Sequence, residues 1–223
     1  GYDLIVSNYA INEWLEGEDQ ARRAEVIEQI GSLLKESGYL LLMEPAEGEV
    51  CRALHGSSAK AVENNDRLHL VAPYFNGSPC PLLEMESKYF SHEVRPCTPA
   101  PMVEQINHHL NLEIREVKFG MTMLARNQGR ILPDHSGVLR IISPVRKRKG
   151  TITFWGIGVD GKEVEIEWQR RNLAKEDQKN LLTLQRGDII EQISISGNSE
   201  ERIRLEKADE ICPLFLPRWN QVA

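Results

Sequence analysis

The chain is poor in the features that announce several whole classes of protein. Its four cysteines, Cys51, Cys80, Cys97 and Cys212, are widely scattered and form no C-x-x-C pair. Neither a zinc knuckle nor a disulfide framework is signalled, and four ordinary thiols are expected. No apolar run approaches the roughly 20 residues that a membrane helix needs, and the first residues lack the basic, hydrophobic and small-residue series of a secretory signal. The expectation is a chain without membrane contact in a cytoplasmic setting. Positive charge is also short: the formal net charge of -6 argues against a protein that binds nucleic acid over its whole surface, although a net charge averages over patches. What remains is ordinary for a folded chain, 41% hydrophobic and 27% charged over 223 residues, enough for one large or two modest domains.

The stretch Tyr2-Asp3-Leu4-Ile5-Val6 reads as a strand buried on both faces, the kind found mostly in parallel sheets covered by helices. The chain begins at Gly1 and enters that strand at once, so a further amino-terminal portion is expected ahead of it. A polar bend, Ser7-Asn8-Tyr9, follows at the carboxyl end of the strand, where open α/β sheets bind ligands. The alternative is a structural strand end with an Asn suited to tight turns. A helical turn over 11–15 and a helix over 20–36 come next, the latter with Ile27, Ile30 and Leu34 on one stripe and Ser37-Gly38 as its stop. Tyr39 to Met43 then forms a second doubly buried strand and completes a crossover. If the two strands are parallel neighbours, Glu44 and Pro45 end beside Asn8. Ser7, Asn8, Tyr9, Glu13, Glu44 and Pro45 are therefore the candidate crevice residues.

Gly48 and Gly56 suggest two short helices, over 50–54 and 59–62. Three prolines and a glycine between Ala72 and Pro81 forbid regular structure there. Thr98-Pro99 predicts a helix start with Met102, Val103, Ile106 and Leu110 buried and His108 and His109 on the surface. Segments 112–119 and 121–126, joined at Gly120, read as an antiparallel pair. A polar stretch over 128–137 places a boundary between a first domain, 1–130, and a second, 137–223. In the second, strands over 138–143, 151–159 and 163–169, a helix over 174–184, and strands over 189–196 and 202–206 follow in the order of an OB-like barrel. Asp160-Gly161 and the region around Gly197-Asn198 are the turns. Arg146-Lys147-Arg148-Lys149, beside Phe154 and Trp155, suits phosphate contact and base stacking; a solvated loop is the alternative.

The first strand, its helix and Gly38-Tyr39-Leu40-Leu41-Leu42-Met43-Glu44-Pro45 resemble the second half of a class I S-adenosylmethionine-dependent methyltransferase over roughly residues 1–127. Ala72-Pro73 to Cys80-Pro81, Phe90-Ser91 and the basic run after Pro144 are more narrowly similar to the ribosomal small-subunit methyltransferase-like family. The resemblance implies the second half of a Rossmann-like sheet followed by an OB-like domain. It implies S-adenosylmethionine as cofactor, and ribosomal RNA or the small ribosomal subunit as partner. The glycine-rich turn and the acidic residue for the cofactor's ribose are expected ahead of Gly1. Ser7-Asn8-Tyr9 stands where amino-group methyltransferases carry N-P-P-Y, so that route to base methylation is not expected.

Members of the narrower family with a full cysteine set hold an iron-sulfur cluster. In this sequence Tyr74 replaces the first of those cysteines, Cys80 remains, and Lys88 and Ile157 fall where two others are expected. One thiol of four predicts no cluster. A cluster drawn from Cys51, Cys80, Cys97 and Cys212 is the alternative.

Overall fold

A computed structural model describes residues 1–84, 87–127, 137–192 and 202–216. The chain is mixed α/β with two sheets. The first half runs β1 (Tyr2–Asn8), α1 (Ile11–Trp14), α2 (Gln20–Ser32), β2 (Leu34–Pro45), α3 (Gly48–Asn64), β3 (His69–Ala72), β4 (Glu93–Pro96), α4 (Pro101–Leu110) and β5 (Glu116–Ala125). Its sheet has the order β1-β2-β5-β3, with β4 also on β5, so β5 comes last in sequence yet lies between β2 and β3. β1 and β2 are parallel, with Ile5 opposite Leu40 and Asn8 opposite Met43. The pairings of β5 with β2, β3 and β4 are antiparallel. Residues in register share a face, so Leu40, Leu42 and Leu124, all 0% exposed, form one apolar surface. Ala24, Val26 and Ile27 of α2 and Leu54 and Ala61 of α3 belong to the same core. Each of those leucines contributes about 1.5–3 kcal/mol relative to its exposed state.

Several expectations are corrected. β1 is an edge strand, not one buried on both faces: Tyr2, Leu4 and Val6 are exposed, because β2 pairs with one edge only and the helices cover only the Ile5 side. α2 stops at Ser32 and β2 starts at Leu34, so Gly38 lies inside a strand. A Cβ at Gly38 would stand 2.6 Å from the Tyr2 carbonyl oxygen, which explains a glycine where β1 and β2 shift register. α3 is continuous through Gly56. α4 starts at Pro101 after Ala100, and its only buried residue is Asn107, whose amide bonds both the N–H and the C=O of Ile114 at 3.0 Å. Met102, Ile106 and Leu110 are exposed, whereas His108 and His109 are on the surface as expected. β5 runs straight through Gly120 because paired strands lie on both of its sides.

The second half contains β6 (Val138–Ile141), β7 (Arg146–Lys147), β8 (Thr151–Gly158), β9 (Glu163–Gln169), α5 (Lys175–Leu181), β10 (Ile189–Gln192), β11 (Arg202–Leu205) and β12 (Ile211–Phe215). The sheet order is β11-β9-β8-β6-β10-β12, with β7 on β8, and it curls into a half-barrel. Ile152, Phe154, Ile166 and Trp168 are at most 1% exposed and fill its interior. The expected end of the fourth strand, the turn at Gly197-Asn198 and the boundary stretch 128–136 lie outside the described residues. Among the described residues no helix is long and apolar enough to cross a membrane.

An ionic seam links the two sheets. Glu93 of β4, 1% exposed, is paired with Arg95 beside it and with Arg140 of β6. Arg95 also donates to the Arg186 carbonyl at 2.9 Å, and Arg186 donates to the Phe90 carbonyl at 3.1 Å. Gly187 has φ +89, and a Cβ there would collide with the Glu93 carboxylate. A glycine in that turn is thus required twice, by its backbone and by the acid beside it.

Candidate functional site

The parallel pairing of β1 and β2 brings their carboxyl ends together, and the Tyr9 N–H closes the corner by donating to the Met43 carbonyl at 2.8 Å. Tyr9 has φ +57, a left-handed conformation uncommon for a bulky residue. Such backbone is held only where its surroundings over-determine it, and it concentrates at functional sites. Here it turns the chain directly after the strand. Asn8, Tyr9 and Met43 form one wall of a cavity of about 660 Å3. Arg95, Cys97 and Thr98 line it from β4 and the segment after it, and Val117 and Phe119 from β5. That volume lies within the roughly 300–1,000 Å3 of small-molecule sites.

The other crevice candidates are elsewhere. Ser7 lies in register with Leu42 on the helix-covered side of the sheet, and Glu13 is exposed on α1. Glu44 follows Met43 and turns to the opposite face, where its Oε1 accepts from the Ile11 and Asn12 N–H groups at 3.0 and 3.1 Å. It fixes the start of α1 and with it the bend that carries Tyr9. Burial raises the Glu44 pKa against the opposing pull of those two bonds. The Pro45 carbonyl accepts from Glu47 N–H and from the Cys51 thiol.

Of the four thiols, Cys51 and Cys80 lie near enough for the charge of Cys80 to act on Cys51. Cys51 and Cys80 are buried, Cys97 half-buried and Cys212 exposed, and no three His, Cys, Asp or Glu side chains converge on a metal position among the described residues. Burial pushes the Cys51 thiol up to about 11, away from the thiolate that binds metal. Beside Cys80 stands Tyr74, whose ring has the Arg140 guanidinium 5.6 Å from its centre and the His55 ring at 6.1 Å. Two buried thiols beside a phenol do not make the four-ligand thiolate set of an iron-sulfur cluster.

The basic run forms a second feature. Arg146, Lys147, Arg148 and Lys149 are exposed, and among the described residues none of the four forms an ion pair. The Arg170 guanidinium holds the loop by donating to the Arg148 and Lys149 carbonyls at 3.0 and 3.1 Å. Arg146 and Arg148 line a recess of about 200 Å3 with Lys88, Tyr89 and Trp155. Trp155 is half-buried on the outer face of β8, whereas Phe154 is 1% exposed and points into the core. Only one of the two aromatic residues read from the sequence therefore presents its ring to the basic loop. Lys88 and Tyr89 were missed, since they reach the recess from a loop far away in sequence; adjacent cationic and aromatic residues were the only local signal. Arg95, Cys97 and Thr98 were missed in the crevice for the same reason. Compared with known proteins, the chain matches no protein-family model, and no curated protein matches it.

Proposed function

We propose that this chain is part of an S-adenosylmethionine-dependent methyltransferase, or a methyltransferase-like factor, acting on ribosomal small-subunit RNA or its assembly. The observation that carries the reading is the cavity at the carboxyl ends of two parallel strands, walled by Asn8 and a left-handed Tyr9. The β1–α2–β2 crossover supports a Rossmann-like sheet, and the curled second sheet with α5 between β9 and β10 supports an OB-like barrel. The aromatic and thioether surfaces of Tyr9, Phe119 and Met43 suit the sulfonium end of the cofactor. Among the described residues the lining holds no carboxylate for ribose hydroxyls, so these residues fit the reacting end and not the nucleoside.

When bound, the cofactor supplies an electrophilic methyl group whose bonding pair leaves with sulfur as the acceptor atom bonds carbon. Transfer then needs mainly alignment, which is the task left to Asn8, Tyr9 and Thr98. In the full-length protein, Asn8→Ala is expected to weaken S-adenosylmethionine binding roughly five- to tenfold, the worth of one hydrogen bond, with an unchanged melting temperature because Asn8 is exposed. Calorimetric titration checks this. Unaltered affinity removes Asn8 from the site, and a large loss of stability favours a structural strand end.

The second reading is a non-catalytic assembly factor that binds RNA or protein on the same scaffold, favoured by the exposed basic run, which forms no ion pair among the described residues, at its recess. Replacing Arg146, Lys147, Arg148 and Lys149 with Gln is expected to weaken RNA binding. The log-log salt slope should drop by about 0.7 to 0.9 for every phosphate that the variant no longer neutralises. Equal affinities and slopes for wild type and variant would leave the run a solvated loop.

A further inference from the structure

We infer that the recess beneath the basic run is a base-stacking subsite for single-stranded RNA, in which one unpaired base lies against Trp155 while Arg146 and Arg148 hold its phosphates. The inference rests on the RNA reading above and narrows it to one ligand form. β7 pairs with β8 so that Arg146 stands opposite Thr153. Thr153 and Trp155 are two residues apart on β8 and share its outer face. Arg146 and Arg148, also two apart, both line the recess, whereas Lys147 and Lys149 are not part of its lining. Pairing and alternation thus put two guanidinium groups and one indole on a single side of the half-barrel.

The charge arrangement favours a phosphate at the mouth. Among the described residues, Glu165 is the carboxylate in the lining and is paired with Arg202 at 2.6 Å, while Lys88, Arg146 and Arg148 line the recess as cations. The indole already carries a ligand of its own chain: the Lys88 ammonium lies 4.8 Å from the Trp155 ring centre and 5.1 Å from that of Tyr89. The Lys88 stem is flexible, so a base can replace it on the ring while the ammonium moves to a phosphate. About 200 Å3 falls below the range for whole cofactors but admits one flat ring, with sugar and phosphate outside. Bases inside a duplex are stacked on one another and cannot enter, so the recess selects single strands.

The test is a set of anisotropy titrations of the full-length protein with a labelled oligouridylate, an abasic phosphodiester strand of equal length, an RNA duplex and polyglutamate. Wild type is expected to bind the oligouridylate roughly 5- to 150-fold more tightly than the abasic strand, the range for stacking one base. Trp155→Leu is expected to bring the oligouridylate down to the abasic level while abasic binding holds. Trp155→Phe, which keeps packing and a smaller ring, should retain part of the preference. The wild-type comparison of base with abasic strand needs no variant to fold. Equal wild-type affinity for the two strands overturns the subsite and leaves the basic run as a phosphate contact. Tighter binding of duplex than of oligouridylate overturns it as well. Polyglutamate binding as tight as oligouridylate overturns it in favour of an acidic protein partner. Binding of no nucleic acid at all, the same with the quadruple Gln variant, removes the RNA reading itself.

Discussion

Glu93→Gln is expected to lower the unfolding free energy by roughly 3–5 kcal/mol, the cost of removing one partner from a buried ion pair. The side chain keeps its shape but loses the charge that compensates Arg140, which is 6% exposed and whose pKa burial already lowers. Arg140 would retain its 3.3 Å bond to the Gly187 carbonyl, its contact with Tyr74 and the attraction of the buried Asp188, but would lose the carboxylate paired directly with its guanidinium. Adding Arg140→Met should restore much of the loss, because a buried pair replaced by apolar groups is often neutral. Denaturant titrations of wild type, single and double variants measure this. A single variant within about 1 kcal/mol of wild type would mean that the seam is not held by this ion triad.

Acid is expected to destabilise the protein through His55. His55 is 3% exposed, and burial together with the nearby Arg140 charge lowers its pKa from 6.5 to about 3. Between those values the unfolded chain takes up a proton that the folded chain refuses, so stability falls as pH falls from 6.5. At about 1.36 kcal/mol per unit, the loss due to His55 is roughly 2 kcal/mol at pH 5. His92, lowered to about 4 by burial and by Arg186, acts in the same direction. Glu44 acts in the opposite direction, holding a proton above pH 4.5 that the unfolded chain has released. Unfolding free energies at pH 6.5 and 5 should therefore converge in His55→Gln relative to wild type. Parallel pH profiles for the two proteins would sink the assignment.

The strands β8 and β9 were legible in the sequence because Ile152 and Phe154 alternate inward and Asp160-Gly161 forms a turn whose Gly161 takes φ +78. The parallel meeting of β1 with β2 was also legible, and with it the position of Asn8 and Tyr9. β4 was not. Glu93-Val94-Arg95-Pro96 shows no clean apolar alternation, and it is a strand because its partners are β5 and an arginine from the other sheet. Arg140 is hidden in the same way inside an otherwise apolar strand. The periodicity of α4 located its apolar stripe correctly but carried no information on whether anything packs against it. Local pattern reports which face is apolar; pairing between distant segments decides what is buried.

The grip of Arg170 on the basic loop has a kinetic meaning. Its guanidinium also donates to Gln178 of α5 at 3.1 Å, so the two last carbonyls of the run are tied to a helix before any ligand arrives. A loop already fixed has little ordering entropy left to lose on binding. For the proposed single-stranded RNA, association would then be governed by how quickly charge draws the two molecules together, and dissociation by how firmly the recess holds the base. On the RNA reading, salt is expected to slow arrival far more than it hastens departure, and Arg170→Ala is expected to slow arrival further, because each encounter then waits for the loop to order.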